Sequence, residues 1–389
     1  YYYFVIPLGF FFLYMVVFET NANVLMRIVV PKFIREVGIR TMTIVVYLLY
    51  AFRYIDLDWF VILLVSIYGI ATLMNIFYLM LLNGISLKPK PSFITTTLRK
   101  DFLFYTSFLV LAAISSSIMG KIDVFLVSSK MGLDFTGIYS IAFYIAIIVE
   151  IPYRSLLAIS LPEIAQSIKD KDIKNTNVLC KKVSLHQLLI ACFIFALIWI
   201  NIDFVFAIIP NGDIYAKGKW VVFFIGLARL IDSSFGVSLA VLNFSKYYYY
   251  SLLFTFSLVI LTVFSNLFFI PIYGMSGASL GTFLSIIVYI VLLLGFLQWK
   301  VNVSPLSFNL LKITGIVLLM LGISWGWEMT LSPLITDVFS NYSFALFMDA
   351  LLKTFVSLGI GVVLVYVFRV SEDVNSLARK YLGKIGIRI

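Results

Sequence analysis

Long apolar runs separated by short polar segments extend along almost the whole chain. A helix needs about 20 apolar residues to cross a hydrocarbon layer of roughly 30 Å. Eleven runs approach this length and predict membrane-spanning helices at 1–19, 39–55, 59–83, 102–128, 138–160, 186–209, 220–243, 248–270, 277–298, 312–328 and 346–369. The pattern therefore predicts an all-α, multi-pass membrane protein with about eleven transmembrane helices.

The composition agrees with this fold class. Hydrophobic residues fill 62% of the 389 positions and charged residues only 12%, a balance outside the range of soluble domains. The two cysteines, Cys180 and Cys192, and the single histidine, His186, show neither metal-ligand spacing nor a disulfide framework. We therefore predict no metal site, no cofactor and no catalytic residue.

Lys and Arg are distributed unevenly between the two sides of the membrane. When alternate gaps between the runs are counted, 21 of the 29 cations lie on one side, four on the other and four within the runs. Cytoplasmic loops retain Lys and Arg, so the basic side, including the C-terminal tail, is predicted to be cytoplasmic. Topology thus accounts for the net charge of +10, which gives no support for nucleic-acid binding.

The same alternation places the first residue, Tyr1, on the extracytoplasmic side. The sequence has no initiator Met and no signal peptide that would carry its start across a membrane. We therefore expect an odd number of helices upstream. Pro89 and Pro91, within a Lys-Pro-Lys-Pro stretch, indicate an extended cytoplasmic linker over 84–101 between two helical bundles.

The cations within the runs are the candidate functional residues, because a charge at the bilayer centre costs about 2.5–3.5 kcal/mol and should face protein or water. These cations are Lys121, Arg154, Arg229 and Lys353. Glu150 lies four residues before Arg154, and Asp232 three residues after Arg229, so each pair shares a helix face. Such pairs are either structural compensation or parts of a site.

Lys121 and Asp123 are two residues apart, so on a helix they point in different directions and cannot pair. A cavity holding Lys121, Arg154 and Arg229 suits an anionic cargo such as a phosphate-bearing headgroup, since Arg can bind phosphate oxygens with two donors. Asp123 is alternatively a proton or sodium site. The acids Asp123, Asp232 and Glu150 are our candidates for ion coupling.

Several short segments resemble the Wzx-type flippases of lipid-linked oligosaccharides, within the multidrug, oligosaccharidyl-lipid and polysaccharide exporter superfamily. The resemblance covers nearly the whole chain. It is carried by the elbow Phe33-Ile34-Arg35-Glu36 with Arg40, by Asp123-Val-Phe-Leu-Val, by Met131-Gly132, by Gly137-Ile138-Tyr139-Ser140, by Leu161-Pro162-Glu163-Ile164-Ala165 and by Pro271-Ile-Tyr-Gly274-Met-Ser-Gly277-Ala278-Ser279.

The resemblance implies a fourteen-helix, two-lobed exporter of which the first three helices are lacking. Residues 1–83 would complete the N-terminal lobe, 84–101 would be the cytoplasmic linker, 102–298 the C-terminal six-helix lobe, and 299–389 two extra helices and a cytoplasmic tail. It also implies that Lys121, Asp123 and Arg154 line the central cavity.

Together these features predict a bacterial inner-membrane flippase for undecaprenyl-diphosphate-linked oligosaccharide, acting in surface polysaccharide (O-antigen) biosynthesis. Its expected partners are the lipid-linked oligosaccharide, membrane lipids and polysaccharide assembly machinery. One alternative is a multidrug exporter on the same fold. The other is a polytopic membrane enzyme such as a polysaccharide polymerase, which would need a sizeable outer loop bearing acid or base groups.

Overall fold

The computed structural model describes residues 2–82, 121–338 and 342–384, apart from residues 26 and 28, together with a few single positions between 99 and 110. Every element in these ranges is helical. The chain forms two compact units, Tyr1–Leu103 (unit 1) and Phe104–Ile389 (unit 2). Eight helices among the described residues are long and apolar enough to span a membrane. The all-α, multi-pass class is thus confirmed.

Unit 1 consists of two long helices and a bent connection between them. Its elements are α1 (Val5–Val24), α2 (Val29–Phe33), a π-helical segment (Ile34–Ile39), α3 (Arg40–Ala51) and α4 (Leu57–Leu81). The Thr72 hydroxyl of α4 donates to the Phe11 carbonyl of α1 at 2.9 Å. Arg35 donates to Glu19 at 2.8 Å, so this ion pair ties the π-helical segment to α1.

Unit 2 is arranged around one central helix, α11. The elements of unit 2 are α5 (Ile122–Met131), α6 (Leu133–Ile147), α7 (Ile151–Lys169), α8 (Ile173–Ile200), α9 (Ile202–Ile208), α10 (Gly212–Tyr215), α11 (Lys219–Phe235), α12 (Val237–Phe244), α13 (Tyr249–Lys300), α14 (Phe308–Thr330), α15 (Ser332–Val338), α16 (Tyr342–Val367) and α17 (Glu372–Lys384). Helix α11 packs against α6, α8 and α13, and Val221, Ile225 and Ala228 on it are fully buried. Charged residues on α11 are therefore carried into the interior.

The helices of unit 2 extend beyond the apolar runs. The polar gap between the runs 138–160 and 186–209 is mostly helical, because α7 continues to Lys169 and α8 begins at Ile173. The Asp172 side chain caps α8 by accepting the Asn175 amide at 3.0 Å. Hydropathy detects the part of a helix that lies in lipid, whereas polar good helix formers continue the same helix into water. The linker 84–101 and most of the run 102–128 lie outside the described residues.

Helix α13 contains two of the predicted spans, 248–270 and 277–298. Its 52 residues are interrupted at Gly274, whose backbone has φ 60° and ψ −138°. Because two apolar runs lie in one helix, α13 accounts for one of the three spans by which the eleven runs exceed the eight long helices. The run at 39–55 explains another, since α3 has only 12 residues, and the run at 102–128 is largely undescribed.

Gly274→Ala is expected to destabilise the protein by about 1–3 kcal/mol, because this region of φ and ψ is nearly restricted to glycine. An added Cβ would also lie 3.0 Å from the Met131 Cε. Thermal unfolding in detergent measures the effect. Gly295→Ala is the matched control, since nothing lies within 4 Å of the Cβ position at Gly295. Equal stability of the two variants would contradict the role of the bend.

Helix α17 docks on the end of unit 2 through an ion pair. The sequence predicts an amphipathic tail from Arg369, and the structure places a helix there. Asp373 accepts a 2.8 Å contact from Lys182 and lies 3.6 Å from the His186 Nε2. The hydrogen bond from Lys182 holds the pKa of Asp373 below its usual value.

Acid is expected to weaken this docking. The pKa of Asp373 is lower in the folded than in the unfolded protein. The contact therefore contributes its full stability at pH values above the unfolded pKa of about 3.9, and this contribution is lost as the pH falls through the folded pKa. The side chains are half exposed, so the contribution is below about 1 kcal/mol. Hydrogen exchange of residues 372–384 should increase in acid in the wild type. In Asp373→Asn it should already be increased at neutral pH, and equal exchange at neutral pH would contradict the pairing.

Candidate functional site

A short turn places Glu150 in the interior of unit 2. Residues Ile148–Glu150 form a single 3₁₀ turn between α6 and α7, and Pro152 lies in the first turn of α7. Proline has no amide donor, so Pro152 cannot donate to the Ile148 carbonyl four residues earlier, as a continuous helix would require. The local sequence therefore interrupts the helix at the position where Glu150 faces α11.

Glu150 joins the two arginines that the sequence singles out. Its Oε2 lies 3.3 Å from the Arg229 Nη1, and its Oε1 lies 3.7 Å from the Arg154 Nη2. The two pairs expected from helical spacing are present, since Asp232 also lies 3.8 Å from the Arg229 Nη1. The shorter contact of Arg229, to Glu150, connects different helices. We call these four residues, Glu150, Arg154, Arg229 and Asp232, the arginine cluster.

The two arginines differ in their surroundings. The Arg229 side chain is only 11% exposed and its guanidinium lies over the Phe143 ring, 5.6 Å from the centroid. The Arg154 side chain is 77% exposed. All three charged contacts recorded here involve one terminal nitrogen of each guanidinium, and the buried Arg229 Nε has no partner among the described residues. Each arginine therefore retains donors for an incoming acceptor.

Asp123 forms a second, more deeply buried cluster. Its carboxylate accepts hydrogen bonds from the Tyr139 hydroxyl at 3.1 Å, the Asn266 amide at 2.6 Å and the Thr282 hydroxyl at 2.7 Å. These donors come from α6 and from both arms of α13. Asp123 is 5% exposed and Asn266 fully buried. The Tyr139 ring stacks on the Phe143 ring, with centroids 6.4 Å apart, and Arg229 lies over that same Phe143 ring, so these two aromatic residues connect the two clusters.

Lys121 is not brought into either cluster. It occupies the turn before α5 and is exposed, whereas Asp123, in the first turn of α5, is buried. Within the described ranges Lys121 has no ion pair or side-chain hydrogen bond. Its role in binding a substrate stays a prediction.

Sequence reasoning did not find the partners of Asp123. Asn266 and Thr282 lie 143 and 159 residues from Asp123 along the chain, so no local spacing connects them. One signal was available, because an Asn inside an apolar span is costly unless its amide has a partner. No group of three or more His, Cys, Asp and Glu side chains in the described part of the chain has the arrangement of a metal site.

Two solved structures are similar to this one. A lipid II flippase, MurJ, in an inward closed conformation superimposes with a TM-score of 0.63 at 15% identity, covering 92% of this chain and 72% of that chain. A mutant MATE protein superimposes with a TM-score of 0.52 at 13% identity, covering 74% of this chain and 66% of that one. No protein-family model and no curated protein sequence matches the chain.

At these identities the similarity concerns the fold. The chain therefore has an all-α, multi-pass fold similar to that of these two structures.

Proposed function

We propose that the protein is a flippase that moves an undecaprenyl-diphosphate-linked oligosaccharide from the cytoplasmic to the periplasmic leaflet of the bacterial inner membrane. Its two lobes would rock about a mid-membrane site that opens to each side in turn. The similar fold of a lipid II flippase supports a lipid-linked substrate. The polysaccharide assembly machinery would be the partner that receives the product.

The observation that carries the proposal is the set of unused guanidinium donors in the arginine cluster. A guanidinium has five N–H donors in a planar fork, and the ion pairs of Arg154 and Arg229 occupy one nitrogen in each. A diphosphate offers acceptor oxygens that match this fork. Glu150 holds both arginines in place through one terminal nitrogen of each, and the remaining N–H groups would bind the substrate.

The Asp123 cluster is the proposed site of ion coupling. Its carboxylate, the Thr282 hydroxyl and the Asn266 side-chain amide meet in a buried space, and the Asn266 Oδ1 has no hydrogen-bond partner among the described residues. These oxygens suit a hard cation such as sodium, and a proton on the carboxylate is the other form of coupling. Because Arg229 is a neighbour, a charge gained at Asp123 would alter the potential at the arginine cluster.

A multidrug exporter is the second candidate, and the similarity to a MATE protein favours it. In that case Asp123, Asp232 and Glu150 would attract a cationic cargo rather than couple transport to an ion. The two functions differ in the charge of the cargo: the flippase would carry an anion, and the multidrug exporter would carry a cation. A dye-efflux assay with cationic drugs, run beside the lipid assay, separates them.

Leaflet-resolved transport of a fluorescent lipid-linked oligosaccharide by the natural full-length protein in proteoliposomes tests the proposal. Arg154→Ala combined with Arg229→Ala is expected to reduce transport about 100-fold or more, since each charge-assisted hydrogen bond contributes about 1.5–3 kcal/mol. The double Lys variant keeps the charges but loses the fork, and it should also be impaired.

Lys130→Ala combined with Lys217→Ala is the matched control, because both lysines are exposed and lie outside the two clusters. It should transport like the wild type. If the two arginine variants fold and transport normally, the arginine cluster is not the substrate site. If the wild type moves no lipid under any ion gradient or membrane potential, the flippase proposal itself is wrong.

A further inference from the structure

A basic cavity of about 880 Å³ lies at one end of unit 2, away from both clusters. Its lining comes from four segments: the first half of α8, the start of α14, the turn after α16, and α17. The charged and titratable side chains that we take to define it are Lys181, Lys182, His186, Lys312, Arg369 and Arg379. Its volume is in the range of small-molecule and cofactor sites.

Positive charge in this cavity exceeds negative charge. Five Lys and Arg side chains line it against two carboxylates, Glu372 and Asp373. Asp373 is already bound to Lys182 at 2.8 Å, and Lys312 donates to a backbone carbonyl at 3.3 Å. The other three cations, Lys181, Arg369 and Arg379, have no ion pair or side-chain hydrogen bond with any described residue.

An uncharged donor is available at the same place. Ser307 lines the cavity, and its buried hydroxyl has no hydrogen-bond partner among the described residues. A hydroxyl and several unpaired cations around one cavity are the donors that phosphate oxygens need. The charge and the hydrogen-bonding groups therefore both favour a phosphate-bearing anion.

The position of the cavity indicates where that anion comes from. It lies at the ends of three candidate spans, Ile173–Ile200, Phe308–Thr330 and Phe344–Val367. Lipid headgroups are found at that level, and the positive-inside pattern predicts that this is the cytoplasmic leaflet, which is rich in anionic lipid. Basic pockets between membrane helices on that side are typical binding sites for such headgroups.

An apolar groove begins at the same serine. It has a volume of about 740 Å³ and is lined by Ser307 together with apolar side chains of α8, α11 and α14, among them Leu188, Leu227 and Leu311. A soluble phosphate ion has no apolar part that could contact this groove. A phospholipid whose headgroup occupied the basic cavity would find the groove beside it for its acyl chains.

We propose that the basic cavity binds the phosphate of an anionic phospholipid of the cytoplasmic leaflet, with the acyl chains along the adjoining apolar groove. The bound lipid would bridge α8, α14 and α17 and hold the C-terminal helix on the membrane end of unit 2. This site is independent of the proposed transport function, because none of its residues belongs to the arginine cluster or the Asp123 cluster.

Native mass spectrometry of the full-length protein, titrated with phosphatidylglycerol and with phosphatidylcholine, tests the proposal. Phosphatidylglycerol should bind at least tenfold more tightly. The triple variant Lys181→Gln, Arg369→Gln and Arg379→Gln should bind phosphatidylglycerol at least tenfold more weakly than the wild type, since each Lys or Arg near an anionic lipid surface adds to the binding free energy. Replacing these three cations breaks no ion pair and no side-chain hydrogen bond within the part of the chain that the structure describes.

The matched control removes the same charge from exposed lysines of the basic side that do not line the cavity, namely Lys32→Gln, Lys174→Gln and Lys380→Gln. It should retain the wild-type affinity. Equal binding of the two lipids, or an equal loss in the control, overturns the site. Inorganic phosphate is then added as a competitor. If it fails to displace the bound phosphatidylglycerol, the result supports a phospholipid site. If it displaces the lipid at a concentration equal to that of the lipid, the lipid assignment is wrong.

Discussion

Glu150→Gln is expected to lower the free energy of unfolding by about 3 kcal/mol, because breaking a buried ion pair leaves an uncompensated charge. The Arg229 side chain is 11% exposed and its contact with Glu150, at 3.3 Å, is shorter than its contact with Asp232, at 3.8 Å. Asp232 alone would then balance Arg229 from a longer distance. Thermal or denaturant unfolding in detergent measures the loss.

The control uses the other partner of the same carboxylate. Arg154→Gln removes a 3.7 Å contact with Glu150 that is made by a side chain 77% exposed, and exposed ion pairs contribute less than about 1 kcal/mol. The two variants should therefore differ clearly in stability although both should impair transport. If Glu150→Gln is as stable as Arg154→Gln, then Asp232 suffices for Arg229 and Glu150 is not the organising residue.

Asp123→Asn is expected to abolish the dependence of transport on an ion gradient and to reduce the rate about 100-fold. The carboxylate accepts from three donors, whereas an amide accepts at one end only and presents a donor at the other. At least one buried donor then loses its partner, which costs about 1–3 kcal/mol. The charge that would bind a cation or a proton is also lost.

Transport under imposed sodium and proton gradients separates these effects. Asp134→Asn is the matched control, since Asp134 is exposed at the start of α6, and it should behave like the wild type. Thr282→Ala removes one donor while keeping the carboxylate, so it should weaken the ion dependence without abolishing it. A gradient response in Asp123→Asn equal to that of the wild type would show that coupling occurs elsewhere.

The charges on the sequence were enough to identify the arginine cluster in part. Helical spacing correctly paired Glu150 with Arg154 and Arg229 with Asp232, because residues three or four apart on a helix are neighbours. It did not show that Glu150 is shared between both arginines. That contact depends on the turn at Ile148–Glu150 and on the packing of α11 against α6.

The environment of Asp123 required the tertiary structure entirely. Tyr139 is 16 residues away along the chain, and Asn266 and Thr282 are far more distant. Their meeting depends on α5 packing between α6 and the bent helix α13. The grouping of residues into 1–83, 84–101, 102–298 and 299–389 stays a prediction, although the structure also divides the chain near residue 103.

The sequence by itself determined that the protein is an all-α membrane protein, and it identified the charged residues that lie within the apolar runs. Hydrocarbon accepts only backbones whose hydrogen bonds are satisfied within the segment, so long apolar runs imply helices without knowledge of their packing. The tertiary structure decided which of the buried charges meet. Partner choice among charges depends on distances of a few ångströms between helices, and a one-dimensional pattern of polarity does not contain those distances.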